Sequence, residues 1–380
     1  MVEIFLGKRI RSYMTLICAI LVLFYVINGL IYLFAIMYLL IKKSKKDDSQ
    51  NNTYPFVSII IPSRNEIKNI IKCLECLKNQ SYPSDKFEII PVNDASEDGT
   101  DKILNQMAEN DPHIQPVHIP VSKRKNQGKL NAIDMGIQHA RGEIIITTDA
   151  DIWMEPNWMG HMVKGFDSNT GLIIGMTLDE FSNHPVHAFQ ALDGAGIRII
   201  AAALAEINKP ITCQGSNLAF RKEAYIQVRE RVLALATSCG NREWLMQEID
   251  LATDWKIKTQ LHPESIAHTY SPDTWRALIN QRSRWASTGK NYSKLSVRLY
   301  LTLIYFSLLA FIVGPFVLGA QMSGIIWGMK LLIDLAVALA VIKAIHQPRL
   351  LYAFPLVFFL QPIMVVITAF LGTFGLYRWK

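Results

Sequence analysis

Long apolar runs lie near both ends of the chain, and shorter apolar runs alternate with polar positions between them. Residues 13–41 contain no charged side chain, and a helix needs only about 20 apolar residues to cross a bilayer. Further apolar runs cover residues 299–320, 325–343 and 351–373. We therefore predict four transmembrane helices, one before and three after a middle region. Lys330 and Asp334 stand four positions apart in the third helix; they are expected to neutralise each other inside the bundle, the alternative being a functional role.

The middle of the chain has the pattern of alternating strands and helices. Apolar, β-branched runs typical of buried parallel strands occupy residues 56–62, 87–93, 114–119 and 143–148. Helical patterns separate them, the first opening at Asn65 and Glu66. This alternation predicts a doubly wound α/β sheet, in which ligands bind beyond the carboxyl ends of the strands. The apolar stretch 185–206 is expected to pack against the sheet or to lie along the membrane interface.

Composition and charge favour a membrane-anchored protein. Half of the 380 residues are hydrophobic and only 19% are charged. The net charge of +7 divides into +6 for residues 1–46, −3 for residues 47–298 and +4 for residues 299–380. These ranges are our predicted domains: an N-terminal anchor, a soluble domain and a C-terminal membrane region. Four lysines directly after the first apolar run place the soluble domain in the cytoplasm, and nucleic acid is not expected as a partner.

Two aspartates follow the fourth predicted strand directly. Asp149 and Asp151 would lie at the edge of a buried strand, where carboxylates are costly unless a cation compensates them. Oxygen ligands of this kind suit Mg²⁺ or Mn²⁺, with substrate phosphates completing the shell. A solvated turn is the alternative that the triplet alone leaves open. His262 and His268 lack the spacing of paired ligands on a helix and predict no metal site.

Five segments in this order resemble the family 2 glycosyltransferases. They are VSIIIPSRNE at 57–66, VNDASEDGT at 92–100, GKLNA at 128–132, DAD at 149–151 and GSNLAFR at 215–221. A sixth, QRSRW at 281–285, is similar to the QxxRW segment of the membrane-embedded members, the relatives of cellulose, chitin and hyaluronan synthases. The resemblance implies a GT-A-like mixed sheet together with transmembrane helices.

The resemblance also implies roles for individual residues. The end of the first strand and the acidic loop after the second would hold the nucleotide, through Ser63, Glu66 and Asp94. Lys129 would lie near the diphosphate, and a divalent cation, Mg²⁺ or Mn²⁺, would be held through Asp149 and Asp151. In the QxxRW segment, the implied site residues are Gln281, Arg284 and Trp285. An interfacial aromatic residue is the other interpretation of Trp285.

The sequence departs from the family where the catalytic base is expected. Inverting members carry Glu-Asp, often continued as Glu-Asp-x-Asp-Leu, about 35 residues before QxxRW. The corresponding residues here are Gln247 and Glu248, followed by Asp250 and Leu251. We take Glu248 as the base, because a glutamate accepts a proton about as readily as an aspartate. Glu243 and Asp250 stay open as alternatives.

The resemblance therefore implies an enzyme that moves a sugar from a nucleotide-sugar donor, a UDP-sugar being favoured. The acceptor would be lipid-linked or a polysaccharide, and the reaction would be inverting. The expected location is the bacterial inner membrane, with the catalytic domain on the cytoplasmic side. The altered motif at Gln247 and Glu248 leaves one alternative, a non-catalytic donor-binding subunit of a polysaccharide assembly complex.

Overall fold

The computed structural model describes residues 2–44, 54–123, 128–235 and 243–378. The chain divides into two compact units. The helical unit comprises Met1–Tyr38, Phe181–Gly196 and Pro272–Lys380, and the sheet unit comprises Leu39–Glu180 and Ile197–Ser271. The predicted domain boundaries at residues 46/47 and 298/299 stay predictions, because compactness and membrane position are different criteria.

The sheet unit is built on a seven-stranded mixed sheet. Its strands are β1 (Val57–Ser63), β2 (Phe87–Asp94), β3 (Val117–Ile119), β4 (Ile144–Thr148), β6 (Thr170–Ile174), β8 (Asn217–Arg221) and β9 (Lys256–Thr259), in the order β3-β2-β1-β4-β8-β6-β9. Strand β8 runs antiparallel to its neighbours β4 and β6. The predicted α/β class with a mixed sheet is confirmed, and the four predicted strands form one parallel block, β3-β2-β1-β4.

A second, three-stranded sheet lies in the same unit and was not predicted. It joins β5 (Ile152–Met154), β10 (Ala267–Thr269) and β7 (Thr177–Asp179), with β10 in the centre. Each strand has three residues, which is too short for an alternating pattern to be recognised in the sequence. The sheet nevertheless matters for the site, because β5 begins immediately after Asp151.

The helices that pack within the described part of the sheet unit are α2 (Ile70–Lys78), α3 (Thr100–Asn110), α4 (Gly128–His139), α5 (Trp158–Lys164), α7 (Lys222–Leu235) and α8 (Glu243–Ala252). Ile59, Ile61, Ile144 and Ile146 of β1 and β4 are buried in one core with residues of α2 and α5. A buried charge lies on the neighbouring strand β2. Glu88 on β2 accepts hydrogen bonds from the Ser58 hydroxyl (2.6 Å), the Arg141 amide (2.6 Å) and the Arg141 guanidinium (2.8 Å), so its burial is compensated.

The helical unit contains α9 (Trp275–Ala286), α10 (Leu295–Leu318), α11 (Ala320–Ile345) and α12 (Phe354–Thr373), and shares α1 (Val2–Ser44) and α6 (Pro185–Glu206) with the sheet unit. Five helical segments of the described chain are long and apolar enough to cross a membrane, which indicates a membrane protein. They are Ser12–Lys42, Pro185–Glu206, Leu295–Leu318, Ala320–Ile345 and Pro348–Thr373. Of the apolar window in Pro185–Glu206, 72% is buried in protein, against 22–39% for the other four. This helix is therefore largely covered by protein.

Lys330 and Asp334 form an ion pair in the helical unit, as their spacing predicted. The Lys330 side chain is fully buried, and its ammonium also donates to the carbonyl of Phe358 at 3.2 Å. The Tyr25 hydroxyl on α1 donates to Asp334 at 2.6 Å. The pair thus connects α11 with α1 and α12, because each of its charges is shared with a neighbouring helix.

Helices α9 and α12 approach each other closely at Gly372. A Cβ atom at this position would lie 2.4 Å from the carbonyl oxygen of Ser283 and 2.9 Å from the amide nitrogen of Ser287. Both are backbone atoms of the other segment, so they cannot move aside as a side chain would. Gly372 therefore fixes the distance between α12 and the helix that carries QRSRW.

We predict that Gly372→Ala forces α9 and α12 apart and destabilises the helical unit by about 1–3 kcal/mol. Thermal unfolding of the detergent-purified protein, followed by intrinsic tryptophan fluorescence, measures the lowered melting temperature. Gly328→Ala in α11 is the matched control, since nothing lies within 4 Å of a Cβ there. Equal melting temperatures for the two variants would contradict the close contact.

Candidate functional site

Three neighbouring parallel strands end at one edge of the sheet, and polar residues follow each of them. In the β1–β2 register, Ser63 pairs with Asn93, directly before Asp94. On the other side of β1, Ile60 pairs with Thr147, so β4 ends at the same edge with Asp149 one residue beyond it. Ser63, Asp94 and Asp149 therefore come together as the sequence predicted for ligand-binding residues of a doubly wound sheet.

The loops after β1 and β2 are joined by reciprocal hydrogen bonds. Their turns use left-handed backbone conformations at Asn65 (φ 55°) and Ala95 (φ 52°). The bonds run from the amide of Asn65 to the Ser96 hydroxyl (3.0 Å), from that of Glu66 to the Thr100 hydroxyl (3.0 Å), from that of Ile67 to Asp98 (3.1 Å) and from that of Glu97 to the Asn65 side chain (2.9 Å). These bonds explain why α2 begins only at Ile70, later than predicted, and they hold Glu66 at the rim of the site.

A cluster of carboxylates lies beyond β4. Removal from water, with the nearby charge of Asp149, raises the pKa of Asp151 to about 6, an effect that Lys129 opposes and Glu66 reinforces. Burial also raises the pKa of Asp94, against the opposing charge of Arg64. Burial therefore disfavours the ionisation of both Asp151 and Asp94, the charge of Asp149 adds to this at Asp151, and a further cation would oppose it.

Lys129 is a cation that the chain itself supplies to this cluster. It stands at the first turn of α4, and its ammonium lies 2.8 Å from the Asp149 carboxylate. A Cβ on the neighbouring Gly128 would lie 3.7 Å from Asp94, so the beginning of α4 faces both acidic loops. The arrangement is suited to an anionic ligand, since a helix N-terminus and a lysine both attract negative charge.

The donor set fits a divalent cation. Asp149 and Asp151 offer hard oxygen ligands, which Mg²⁺ and Mn²⁺ prefer. The raised pKa of Asp151 marks a carboxylate whose ionisation would be favoured by a further positive charge. Lys129 at 2.8 Å shows that Asp149 already accepts a cation at this place.

The three candidate bases lie on α8, and their surroundings differ. The side chain of Glu248 is only 2% exposed and accepts a 2.6 Å hydrogen bond from the guanidinium of Arg231 on α7. Glu243 accepts from the Thr212 hydroxyl at 2.5 Å. Asp250 lines a separate cavity of about 510 Å³. Glu248 thus has a charged partner that fixes its position, and nothing in the sequence pointed to Arg231.

The QxxRW residues Gln281, Arg284 and Trp285 lie together on α9 of the helical unit. Thr274 directly precedes α9 and is its N-cap. The Thr274 hydroxyl accepts a hydrogen bond from the amide of Ala277 at 3.2 Å. Sequence reasoning missed the arginine between these residues. Arg282 is 7% exposed and forms an ion pair with Asp193 at 2.8 Å. A basic residue on a polar helix is ordinarily solvated, so only the fold reveals its burial.

His161, His262 and Glu264 form a second cluster in the sheet unit, with ligand-type atoms within 4.8 Å of one another. Its geometry is that of a structural contact. The two imidazole rings stack with centroids 3.6 Å apart and planes inclined by 7°, so one ion cannot lie in the plane of both rings. His262 also caps a short 3-10 helix by accepting from the amide of Glu264 at 3.3 Å.

Comparison of the sequence with known proteins identifies a matching family and several relatives. Residues 58–229 match the family model described as Glycosyl transferase family 2. A probable glycosyltransferase of Bacillus subtilis, YdaM, is 28% identical over 305 residues, which are 74% of this chain and 68% of the relative. The poly-beta-1,6-N-acetyl-D-glucosamine synthase of Staphylococcus aureus is 25% identical over 273 residues, 70% of this chain. The chain spans less than two thirds of the synthase, at 62% of its length.

Among solved structures, the fold is similar to that of the mannosyltransferase PcManGT from Pyrobaculum calidifontis, solved in complex with GDP-Man and Mn²⁺. The TM-score is 0.56 at 18% sequence identity, and the similarity covers 97% of this chain and 99% of the other. At this identity the similarity shows the GT-A-like fold alone. The match of residues 58–229 to the family 2 model, together with relatives named as glycosyltransferases, indicates that this chain is a glycosyltransferase.

Proposed function

We propose that the protein is a membrane-bound, inverting glycosyltransferase that moves a sugar from a nucleotide-sugar donor to a lipid-linked or polysaccharide acceptor with the help of a divalent cation. The observation that carries the proposal is the carboxylate pair Asp149–Asp151. It lies at the carboxyl end of β4, within the family 2 domain and beside Lys129. A diphosphate is the ligand that complements a divalent cation and a lysine at the beginning of a helix.

In this proposal the two joined loops bind the nucleoside. Ser63 and Asp94 lie at the ends of β1 and β2, and Glu66 stands at the rim. A buried carboxylate such as Asp94 can accept hydrogen bonds from a base or a ribose hydroxyl. A UDP-sugar is the favoured donor, and the donor named with the Pyrobaculum mannosyltransferase, GDP-Man, is the second nucleotide to test.

Asp149 and Asp151 would hold the cation, Mg²⁺ or Mn²⁺, which when bound supplies positive charge to the departing diphosphate. Lys129 would then exchange its contact with Asp149 for one with the diphosphate, because two cations compete for one carboxylate.

Glu248 would accept the proton of the acceptor hydroxyl. The hydroxyl oxygen forms the new bond to the anomeric carbon, the bond from that carbon to the diphosphate oxygen breaks, and the proton passes to Glu248. Arg231 holds the Glu248 carboxylate at 2.6 Å and so defines its orientation. A longer side chain than the usual aspartate makes such an orienting contact more important for general-base catalysis.

The membrane helices support a lipid-linked or polymeric acceptor. A soluble acceptor would not require several apolar helices, and one relative is named as a polysaccharide synthase. The four lysines after the first span favour a cytoplasmic catalytic domain, where nucleotide sugars are made, in a bacterial inner membrane. Gln281, Arg284 and Trp285 on α9 would contact donor and acceptor, with Trp285 offering a flat apolar face to a sugar ring.

Turnover of a panel of UDP- and GDP-sugars tests the proposal, using detergent-purified protein with Mn²⁺ and native lipid extract. We expect wild type to transfer one sugar and Asp151→Asn to lose transfer. Glu248→Gln should lower kcat by at least about a hundredfold, because it removes the general base, whereas Glu243→Gln and Asp250→Asn should stay within about threefold of wild type. Full activity of Glu248→Gln would assign the base to another residue. Nucleotide binding without transfer by wild type, on any extract, would contradict the proposed activity.

Mn²⁺ affinity is expected to depend on pH through Asp151, whose pKa lies at about 6. Below this value the carboxyl is protonated and must release its proton before it can bind the ion. Affinity should therefore fall about tenfold per pH unit below about 6 and level off above about 7.

Isothermal titration of Mn²⁺ at pH 5, 6, 7 and 8 measures this change in affinity. Asp151→Asn should lose Mn²⁺ binding at every pH tested, and Asp167→Asn, which removes an aspartate paired with Lys258, is the control that should keep both the binding and its pH dependence. Equal affinity at pH 5 and pH 7 would be the contrary result.

A further inference from the structure

Helix α9 is held by a buried ion pair that the family motif does not include. The Nη2 nitrogen of Arg282 lies 2.8 Å from the Asp193 carboxylate in an ion pair and donates to the side-chain oxygen of Gln190 at 2.7 Å. The side chains of Arg282 and Asp193 are 7% and 9% exposed, and Gln190 is fully buried. Two polar partners on successive turns of α6 therefore hold the same end of one guanidinium.

The same guanidinium contacts the aromatic residue of the motif. Its central carbon lies 5.1 Å from the centroid of the Trp285 ring, within the distance at which a cation and an aromatic face attract each other. Arg282 and Trp285 are three positions apart on α9, so their side chains share one face of the helix. Trp285 is half-buried, with the guanidinium beside its indole ring.

We infer that Arg282, held by Asp193 and Gln190, is a positioning residue that sets the orientation of the Trp285 ring for the acceptor sugar. The inference rests on the proposed function, in which Trp285 contacts a sugar ring. A sugar stacks on an indole only when the ring plane is fixed, because a rotating ring must lose that freedom on binding. Arg282 thus acts through Trp285 and touches no reacting atom.

A purely structural role for the pair, which would only connect α6 with α9, has a different consequence. It predicts that any change at Arg282 or Asp193 lowers stability, as removal of one partner of a buried pair does, and leaves the ring of Trp285 as ordered as before. The Lys330–Asp334 pair offers the matched control. It is a buried ion pair of the same unit, and its further hydrogen bonds go to Tyr25 and Phe358, neither of which is proposed to bind substrate.

Fluorine NMR of 5-fluorotryptophan-labelled protein in detergent reads the ring directly. The chain has eight tryptophans, and the resonance missing from Trp285→Phe assigns Trp285. We expect Arg282→Lys and Asp193→Asn to shift and broaden this resonance, and Asp334→Asn to leave it unchanged while lowering the melting temperature.

An unchanged Trp285 resonance in folded Arg282→Lys would overturn the inference. If that variant does not elute as a monodisperse protein, Gln190→Met, which removes one acceptor only, takes its place under the same criterion.

Kinetics with the donor found in the panel separate this inference from the proposed function. Arg282→Lys should raise the concentration of lipid extract needed for half-maximal rate by at least about tenfold and change the KM for the donor by less than about twofold. In a Trp285→Phe background the same substitution should have less than about a threefold effect, because its partner ring has been altered. Equal effects in both backgrounds would contradict the inference while leaving the transferase activity intact. Absence of transfer by wild type would instead refute the proposed function, and the NMR result would stand on its own.

Discussion

The site depends on one electrostatic constraint, the presence of several carboxylates at one edge of a sheet. Strands β2 and β4 run parallel to β1, so their carboxyl ends lie at the same edge of the sheet. Asp94 ends β2, and Asp149 and Asp151 come directly after β4, so all three lie at that edge. Removal from water and the nearby charges of Asp149 and Glu66 raise the pKa of Asp151 to about 6. Lys129 at the start of α4 opposes this rise with its positive charge.

Two other buried charges, those of Glu88 and Lys330, are compensated by partners within the protein. Glu88 is satisfied by Ser58 and Arg141 inside the sheet, and Lys330 is satisfied by Asp334 inside the helical unit. In each case protein groups compensate the charge and thereby connect different elements of the fold. At the acidic edge of the sheet, by contrast, the surroundings of Asp151 still disfavour its ionisation. This contrast supports the proposed cation site at that edge.

Periodicity in the sequence was sufficient to predict most of the fold. The parallel block of the sheet, the four terminal apolar helices and the clustering of Ser63, Asp94 and Asp149 all derive from strand and helix patterns with strand-end placement. The short strands of the second sheet were missed because three residues carry no period. The burial of Arg282 and the contact between Arg231 and Glu248 were missed because each pairs residues from different elements, and tertiary contacts of that kind leave no local signal.

The central claim is that Asp149 and Asp151 bind a divalent cation that also contacts the donor diphosphate. Pulsed electron paramagnetic resonance of Mn²⁺ bound to the purified protein, with UDP or GDP added, tests it most directly. The account predicts a ³¹P hyperfine coupling in the wild type, and loss of protein-bound Mn²⁺ in Asp151→Asn. A signal from Mn²⁺ on the wild-type protein without ³¹P coupling, or the same bound signal in Asp151→Asn, would contradict it.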